Sequence, residues 1–349
     1  KESGIEYSEE QTQAIREAAT SGLLLITGGP GTGKTTILRG ILELLGQNQL
    51  RCLLAAPTGR AAKRLTEVTG EDASTIHRLL EAGIDPATGK MFFARDAENP
   101  LKCDAVIVDE MSMVDVSLLY SLLQAIPTGK RLILVGDPDQ LPPVGPGFPF
   151  GDMLRSGSLP TVRLTEIFRQ AQKSLIVMNA HRVNQGEMPD LKCVSSDFFF
   201  MRRTSEEAVC ALIRDLCATR LPQKMGIPTD QIQVLSPTRK GAVGTVNLNR
   251  LLQAALNPQS PDKKERSYGD YQFREGDRVM QIRNNYDILW KKADGSAVGA
   301  GIFNGDVGRI QTIDPASETL TVLFDDRLAE YDFTQLGELE PAYAMTVHK

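Results

Sequence analysis

A chain of 349 residues is too long for one ordinary core, so about two domains are expected. Its apolar fraction of 41% and charged fraction of 24% exclude general disorder. A formal charge of −5 excludes a wholly basic nucleic-acid binder but leaves room for a local basic channel, because the field that matters is that of the cleft.

The opening KESGIEYSEEQ is polar and acidic and carries no secretory signal, and no apolar run approaches the roughly 20 residues that span a bilayer. LLLIT (Leu23–Thr27) precedes a glycine loop and the helical TTILRGILELLG. CLLAAPT (Cys52–Thr58) precedes GRAAKRLTEVTG, and AVIVDE (Ala105–Glu110) precedes VSLLYSLLQAI. RLILVGD (Arg131–Asp137) runs into a proline-rich loop. Short, continuously apolar strands alternating with helices predict a parallel sheet covered on both faces. DPATGKMFFARDAENP (Asp85–Pro100) breaks this rhythm, and its turn residues around a Met/Phe run predict an inserted β-hairpin. Cys210 and Cys217 lie seven apart in a helical pattern, which reads as a buried face rather than a metal site. The five cysteines form no C-x-x-C pair, which points to reduced thiols and a cytoplasmic protein.

A second strand–helix unit opens near QIQVLSPT (Gln231–Thr238) and NLNRLLQAAL. From Tyr268 to Gly337 the pattern changes to short strands (DRVMQI, DVGRIQTI, TLTVLF and LAEYDF), which predicts a small inserted antiparallel barrel. The basic pairs Lys263–Lys264 and Lys291–Lys292 read as solvated loops.

Chemistry concentrates in GGPGTGKTT, which fits G-x-x-x-x-G-K-[ST] between an apolar strand and a helix. Gly28, Gly29, Pro30, Gly31, Thr32, Gly33, Lys34, Thr35 and Thr36 are therefore the expected nucleotide-binding loop. Its N–H groups and the helix N-terminus would cradle phosphate oxygens. Lys34 would reach the β- and γ-phosphates of ATP, and the Thr35 hydroxyl would join a Mg²⁺ shell. The bland alternative is a glycine-rich turn before a helix, which the flanking strand and helix disfavour. VIVDE then supplies the acids such a site needs: Asp109 for Mg²⁺ and Glu110 to orient and deprotonate the attacking water. Without the loop, a strand-end Asp-Glu pair would read as merely solvated.

GDPDQLPPVGPG (Gly136–Gly147), with APTGRAA, STIHRLL and VDEMSMVD, resembles the RecD-like branch of superfamily 1 DNA helicases. QLPPVGPG looks most like the stand-alone RecD-type helicases. The resemblance implies two RecA-like P-loop domains, the second cut short at Lys349, with the hairpin and the small barrel inserted. The expected layout is residues 1–165 for the first domain, with the hairpin at 85–100, and 166–267 for the first part of the second. The barrel would occupy 268–337, and 338–349 would return to the second domain. YSEEQTQAI resembles the Q motif, whose Gln11 would read adenine. Asp137 and Gln140 would link the γ-phosphate to DNA, and Arg169 of LTEIFRQ would cross from the second domain as an arginine finger. Alone, Arg169 would read as a surface arginine at a helix start.

Pro57, Thr58, Thr75 and His77 match family positions that face nucleic acid, and Arg239, Thr346 and His348 are candidates in the second domain. A lone His77 reads equally well as a structural histidine. Phe92 and Phe93 either wedge against a duplex or anchor the hairpin in a hydrophobic cluster. The function implied is an ATP-dependent 5′-to-3′ DNA helicase acting on single-stranded DNA and single-strand/duplex junctions in repair or recombination. The alternative is a nucleotide-gated DNA-binding subunit of a recombination nuclease complex. No nuclease constellation is visible. Because TVHK begins the family's fifth motif, the natural polypeptide is expected to continue beyond Lys349 into a sixth motif bearing a further arginine.

Overall fold

The computed structural model describes residues 7–85, 88, 90–192 and 197–347; the side chains of Ile84, Arg169 and Gln170 also lie outside the description. By contacts the chain divides into two units, Lys1–Phe200 and Met201–Lys349, so residues 166–200 group with the first unit rather than opening the second.

In the first unit, α1 (Glu9–Thr20) starts in a capping box. The Ser8 hydroxyl accepts from the Gln11 N–H while the Gln11 side chain accepts from the Ser8 N–H. Then follow β1 (Leu23–Gly28), α2 (Lys34–Gln47), β2 (Cys52–Ala56), α3 (Gly59–Thr69), β3 (Ala73–Thr75) and α4 (Ile76–Leu79). The hairpin strands β4 (Ala82–Ile84) and β5 (Met91–Phe93) come next, followed by β6 (Ala105–Val108) and α5 (Val116–Ala125). The unit ends with β7 (Arg131–Gly136), α6 (Pro149–Ser156), β8 (Thr161–Leu164), α7 (Arg169–Gln172) and α8 (Leu175–Asn184).

Six strands form a parallel sheet in the order β3-β2-β6-β7-β1-β8. Successive side chains of a strand point to opposite faces, so continuously apolar strands feed two cores. Leu25, Val106, Val108 and Leu134 pack on one face with Leu122 and Phe150. Leu24, Ile26, Ile107 and Val135 pack on the other with Ile37, Ile41 and Leu65. A parallel sheet lines up the carboxyl ends of all its strands on one edge, and this is what gathers the site residues.

The second unit carries α9 (Glu206–Asp215), α10 (Leu221–Met225), β9 (Val234–Ser236) and α11 (Thr245–Leu256). Its strands continue as β10 (Glu265–Tyr268), β11 (Tyr271–Arg274), β12 (Arg278–Gln281), β13 (Asn285–Lys292), β14 (Val298–Ile302) and β15 (Val307–Asp314). The last are β16 (Thr319–Phe324), β17 (Arg327–Asp332), β18 (Leu339–Pro341) and β19 (Ala344–Thr346). β9 and β19 pair in parallel, and Asn249 of α11 clasps the Ala344 backbone through both its N–H and its C=O. Cys217 lies buried in the cluster against α11, with Cys210 packed on it, as the helical spacing predicted.

Between these strands lies a seven-stranded antiparallel sheet ordered β14-β13-β17-β16-β15-β12-β18. Ile302 of one edge strand and Leu339 of the other join a single core with Phe324 and Tyr331, so the sheet must curl. The insertion is fastened by Asp277, which is fully buried. Its carboxylate accepts from Gln253 Nε2 (2.6 Å), Asn257 Nδ2 (2.7 Å), the Arg274 N–H (2.7 Å) and the Tyr343 hydroxyl (2.9 Å). Burial pushes this carboxyl above the usual range against the pull of those donors.

Candidate active site and nucleic-acid-facing edge

β1 ends at Gly28, and the chain must then turn back to start α2 at Lys34. Gly33 makes the turn with φ +80° as the helix N-cap. A Cβ there would meet the Phe168 ring and would lie 2.5 Å from Gln11 Nε2. Thr32 ties the loop together, its hydroxyl donating to the Gly29 carbonyl (2.9 Å). The Lys34 ammonium folds back onto the carbonyls of Gly28 and Gly29, the latter at 3.2 Å. Thr35 and Thr36 fill the first turn of α2, where unpaired N–H groups face the loop.

The acids arrive from the same sheet edge. Asp109 follows β6, its N–H bound to the Ala55 carbonyl (3.0 Å) and its carboxylate accepting from the Glu110 N–H (2.9 Å). Burial raises the Asp109 carboxyl, opposed by that bond and by Lys34. Glu110 is also raised, by burial first and then by Asp109 and Asp137, with Lys34 opposing. The two carboxyls thus share one nearby ammonium, which favours their charged forms against burial. Glu110 adopts φ +55°, the left-handed region that non-glycine residues seldom enter.

Asp137, at the end of β7, is 2% exposed. Its carboxylate accepts from the Asp139 N–H (3.1 Å) and from Gln140 Nε2 (3.3 Å), so Gln140 is aimed by Asp137. Gln11 is 1% exposed and donates to the Thr32 carbonyl at 3.4 Å, which places the Q-motif amide against the phosphate loop. Arg169 opens α7, directly after Phe168, whose N–H bonds the Gly31 carbonyl (3.2 Å). The Arg169 side chain lies outside the described residues.

Two contributors escaped the sequence reading. The Phe168 ring stands beside Gln11 over Gly33 and adds an apolar face to the phosphate loop. Glu10 accepts from the Thr165 N–H (2.7 Å), the Thr165 hydroxyl (2.5 Å) and the Glu166 N–H (3.4 Å), which pins α1 to the segment leading to Arg169. Phe168 sits inside LTEIFRQ, so an aromatic preceding the arginine was a signal available in the sequence. Glu10 gave none, because its partners lie far along the chain.

The candidate DNA residues fall into two groups, one per unit. In the first unit Pro57 and Thr58 follow β2, while Thr75 ends β3, alongside it. Both hydroxyls serve as helix caps, Thr58 accepting from the Ala61 N–H (3.2 Å) and Thr75 from the Arg78 N–H (3.1 Å). His77 packs its ring 5.9 Å from that of Phe93, and burial lowers its pKa against the pull of Asp115. In the second unit Arg239 forms a forked pair with Glu340 (2.6 and 3.1 Å), and Thr346 pairs in register with Ser236. His348 lies outside the described residues.

The hairpin forms by antiparallel pairing of β4 with β5, beginning slightly before Asp85. It divides the two readings of its phenylalanines: Phe93 packs against the core, whereas Phe92 is 48% and Met91 53% exposed. Phe93→Ala should therefore lower stability by about 1–3 kcal/mol, as partial core burial dictates. Phe92→Ala should leave the melting temperature unchanged but reduce strand displacement more than DNA-stimulated ATP hydrolysis. Equal loss of both activities in Phe92→Ala would assign the tip a structural role only.

With this geometry in place, comparison with known proteins gives a consistent result. A family model described as an AAA domain matches residues 11–146, and one described as the ATP-dependent RecD-like DNA helicase SH3 domain matches residues 248–324. The chain is 37% identical to the ATP-dependent RecD2 DNA helicase of Deinococcus radiodurans, over 98% of this chain and 43% of that protein. It is 30% identical to the RecBCD enzyme subunit RecD of Mycolicibacterium smegmatis, over 98% of this chain and 63% of that one. The chain thus spans less than half of the first relative and under two thirds of the second. Among solved structures, a Bacteroides Pif1 bound to single-stranded DNA aligns with a TM-score of 0.52 at 18% identity, covering 98% of this chain and 83% of that one. The Pif1 helicase from Candida albicans aligns with a TM-score of 0.51 at 20% identity, covering 98% and 86%. These likenesses establish the RecA-like helicase fold and an SH3-like identity for the antiparallel insertion. Among the described residues no helix is long and apolar enough to cross a membrane.

Proposed function

Because this chain belongs to the RecD-like family of superfamily 1 DNA helicases, we propose that it is the motor part of an ATP-driven, 5′-to-3′ translocase on single-stranded DNA. The observation that carries the proposal is the gathering, on one sheet edge, of the Lys34 loop, the Asp109–Glu110 pair and the Asp137–Gln140 loop. Gln11 and Phe168 would hold the adenine, one by its amide and the other by its ring. Lys34 would exchange two carbonyl partners for the β- and γ-phosphates. Hard oxygen donors suit Mg²⁺, and Thr35 with Asp109 would hold it; the ion neutralises charge on the phosphates. Glu110 would align a water and take its proton while the water oxygen bonds the γ-phosphorus. The bond from that phosphorus to the bridging oxygen breaks, and ADP leaves. Arg169 and Gln140 would stabilise the charge developing on the transferred group. DNA repair or recombination, in the cytoplasm, is the setting the family suggests.

ATP hydrolysis by the intact protein, with and without single strands of several sequences and at two salt concentrations, tests this reading. Hydrolysis should be stimulated by every strand alike, and binding should weaken with salt as counterions are released. A strong base-sequence preference, or no salt dependence, would favour a sequence-reading binding module instead. Polarity is read from unwinding of duplexes bearing a 5′ or a 3′ tail. The likeness to the RecBCD enzyme subunit RecD supports a second reading, a nucleotide-gated subunit of a nuclease complex, which predicts unwinding only in the presence of partner subunits.

A further inference from the structure

Helix α8 touches two loops of the site from one face. His181 and Asn184, three residues apart, are neighbours on the helix surface. The His181 Nε2 atom lies 2.9 Å from the Pro30 carbonyl. The ring comes so near the phosphate loop that a Cβ on Gly29 would meet His181 Cε1 at 2.8 Å. At the other end Asn184 Nδ2 donates to the Asp139 carboxylate at 2.8 Å. Asp139 in turn donates its N–H to Asp137, the residue that aims Gln140. Between the two contacts lies a cavity of about 660 Å³ lined by Pro30, Asp137, Gln140, Ile176, His181 and Asn184.

Neither side chain is needed to build α8. Its N-terminus is capped by Ser174, whose hydroxyl accepts from the Val177 N–H, and its C-terminal turn is closed by backbone bonds from Gln185. Asn184 and Asp139 are both exposed, so their bond adds little to folding stability. Such a bond can still set the position of a loop whose own anchor, Asp137, is buried.

We propose that Asn184 and His181 are positioning residues: α8 acts as a strut that fixes the Asp137–Gln140 loop relative to the phosphate loop. Asn184 governs how Gln140 is presented to the transferred phosphate, and His181 governs the Gly29–Pro30 entrance of the loop. The proposal rests on the motor reading above, since it concerns the same reaction.

The test exploits the polarity of the Asn184–Asp139 bond. Asn184→Ala should lower DNA-stimulated kcat by about three- to tenfold, the scale of one net hydrogen bond, with KM for ATP within twofold and an unchanged melting temperature. Asn184→Asp faces Asp139 with a second carboxylate and should lose more. Combining Asn184→Asp with Asp139→Asn re-forms the bond with donor and acceptor exchanged, and should bring kcat back to within about twofold of the parent. His181→Ala should instead raise KM for ATP severalfold. Full kcat in Asn184→Ala, or a swapped pair no better than Asn184→Asp alone, overturns the strut. If the parent shows no DNA-stimulated turnover, the motor reading fails, and hydrogen exchange of residues 137–140 then decides the strut separately. Faster exchange in Asn184→Ala that the swapped pair reverses supports it, and unchanged exchange overturns it.

Discussion

Lys34→Ala is expected to abolish ATP hydrolysis by the intact protein while leaving its fold in place. The ammonium belongs to neither core face of the parallel sheet; it hydrogen-bonds the Gly28 and Gly29 carbonyls of its own loop. Losing it leaves those carbonyls accessible to water, a small cost. In the nucleotide complex proposed above the same amine would meet the β- and γ-phosphates, where negative charge is transferred. Removal of a single preorganised charge donor from such a position typically costs about 10²–10³ in rate. Lys34→Arg should not restore the rate, because a planar fork cannot occupy the space of a compact ammonium against two backbone carbonyls. Initial rates with saturating single-stranded DNA, alongside a thermal melt, check both halves of the expectation. A Lys34→Ala protein that folds normally and hydrolyses ATP within tenfold of the parent would remove the loop from the reaction.

The first unit was legible in the sequence because its signals are local. LLLIT before a glycine loop, VIVDE and RLILVGD are continuous apolar runs, and only a parallel sheet buried on both faces accounts for them. Their shared carboxyl edge then assembles Lys34, Asp109, Glu110 and Asp137 without any further signal. In the inserted sheet, β12, β15, β16 and β17 were read as short strands between turns, whereas the β13–β14 hairpin was not. NYDILWKK carries a register irregularity between Asn285 and Leu289, and three of the five residues of VGAGI are glycine or alanine, with an exposed Val298, so neither shows clean period-two patterning. Asp277 shows the same limit in another form. An acidic residue after a glycine looks like a solvated turn until four donors, Gln253 of α11, Asn257 just past it, Arg274 at the end of β11 and Tyr343, converge on it. The assignment of residues 166–200 to the first unit likewise depends on distant partners, with Glu10 meeting Thr165 and His181 meeting Pro30.

Glu110→Gln should separate binding from turnover, giving a protein that holds nucleotide yet hydrolyses it about 10²–10⁴ times more slowly, the usual contribution of a positioned base. The substitution preserves shape, and the backbone that supports it is independent of the carboxylate. The left-handed turn at φ +55° is held by the Met113 N–H on the Glu110 carbonyl (3.0 Å) and by the Glu110 N–H on Asp109 (2.9 Å). An amide can still accept a hydrogen bond from water, but it cannot take the proton that must leave as the oxygen attacks phosphorus. Binding should be kept or strengthened, because the half-buried carboxylate lies near Asp109 and Asp137, and its removal relieves like-charge repulsion where a triphosphate must enter. Here the two variants diverge. Lys34→Ala should lose affinity and turnover together, whereas Glu110→Gln should retain a nucleotide dissociation constant within a fewfold of the parent while kcat collapses. Equilibrium binding of a fluorescent ADP or ATP analogue, beside single-turnover hydrolysis, measures each quantity separately. Near-parental turnover in Glu110→Gln would assign the proton to another group, and the left-handed backbone at Glu110 would then need a different explanation.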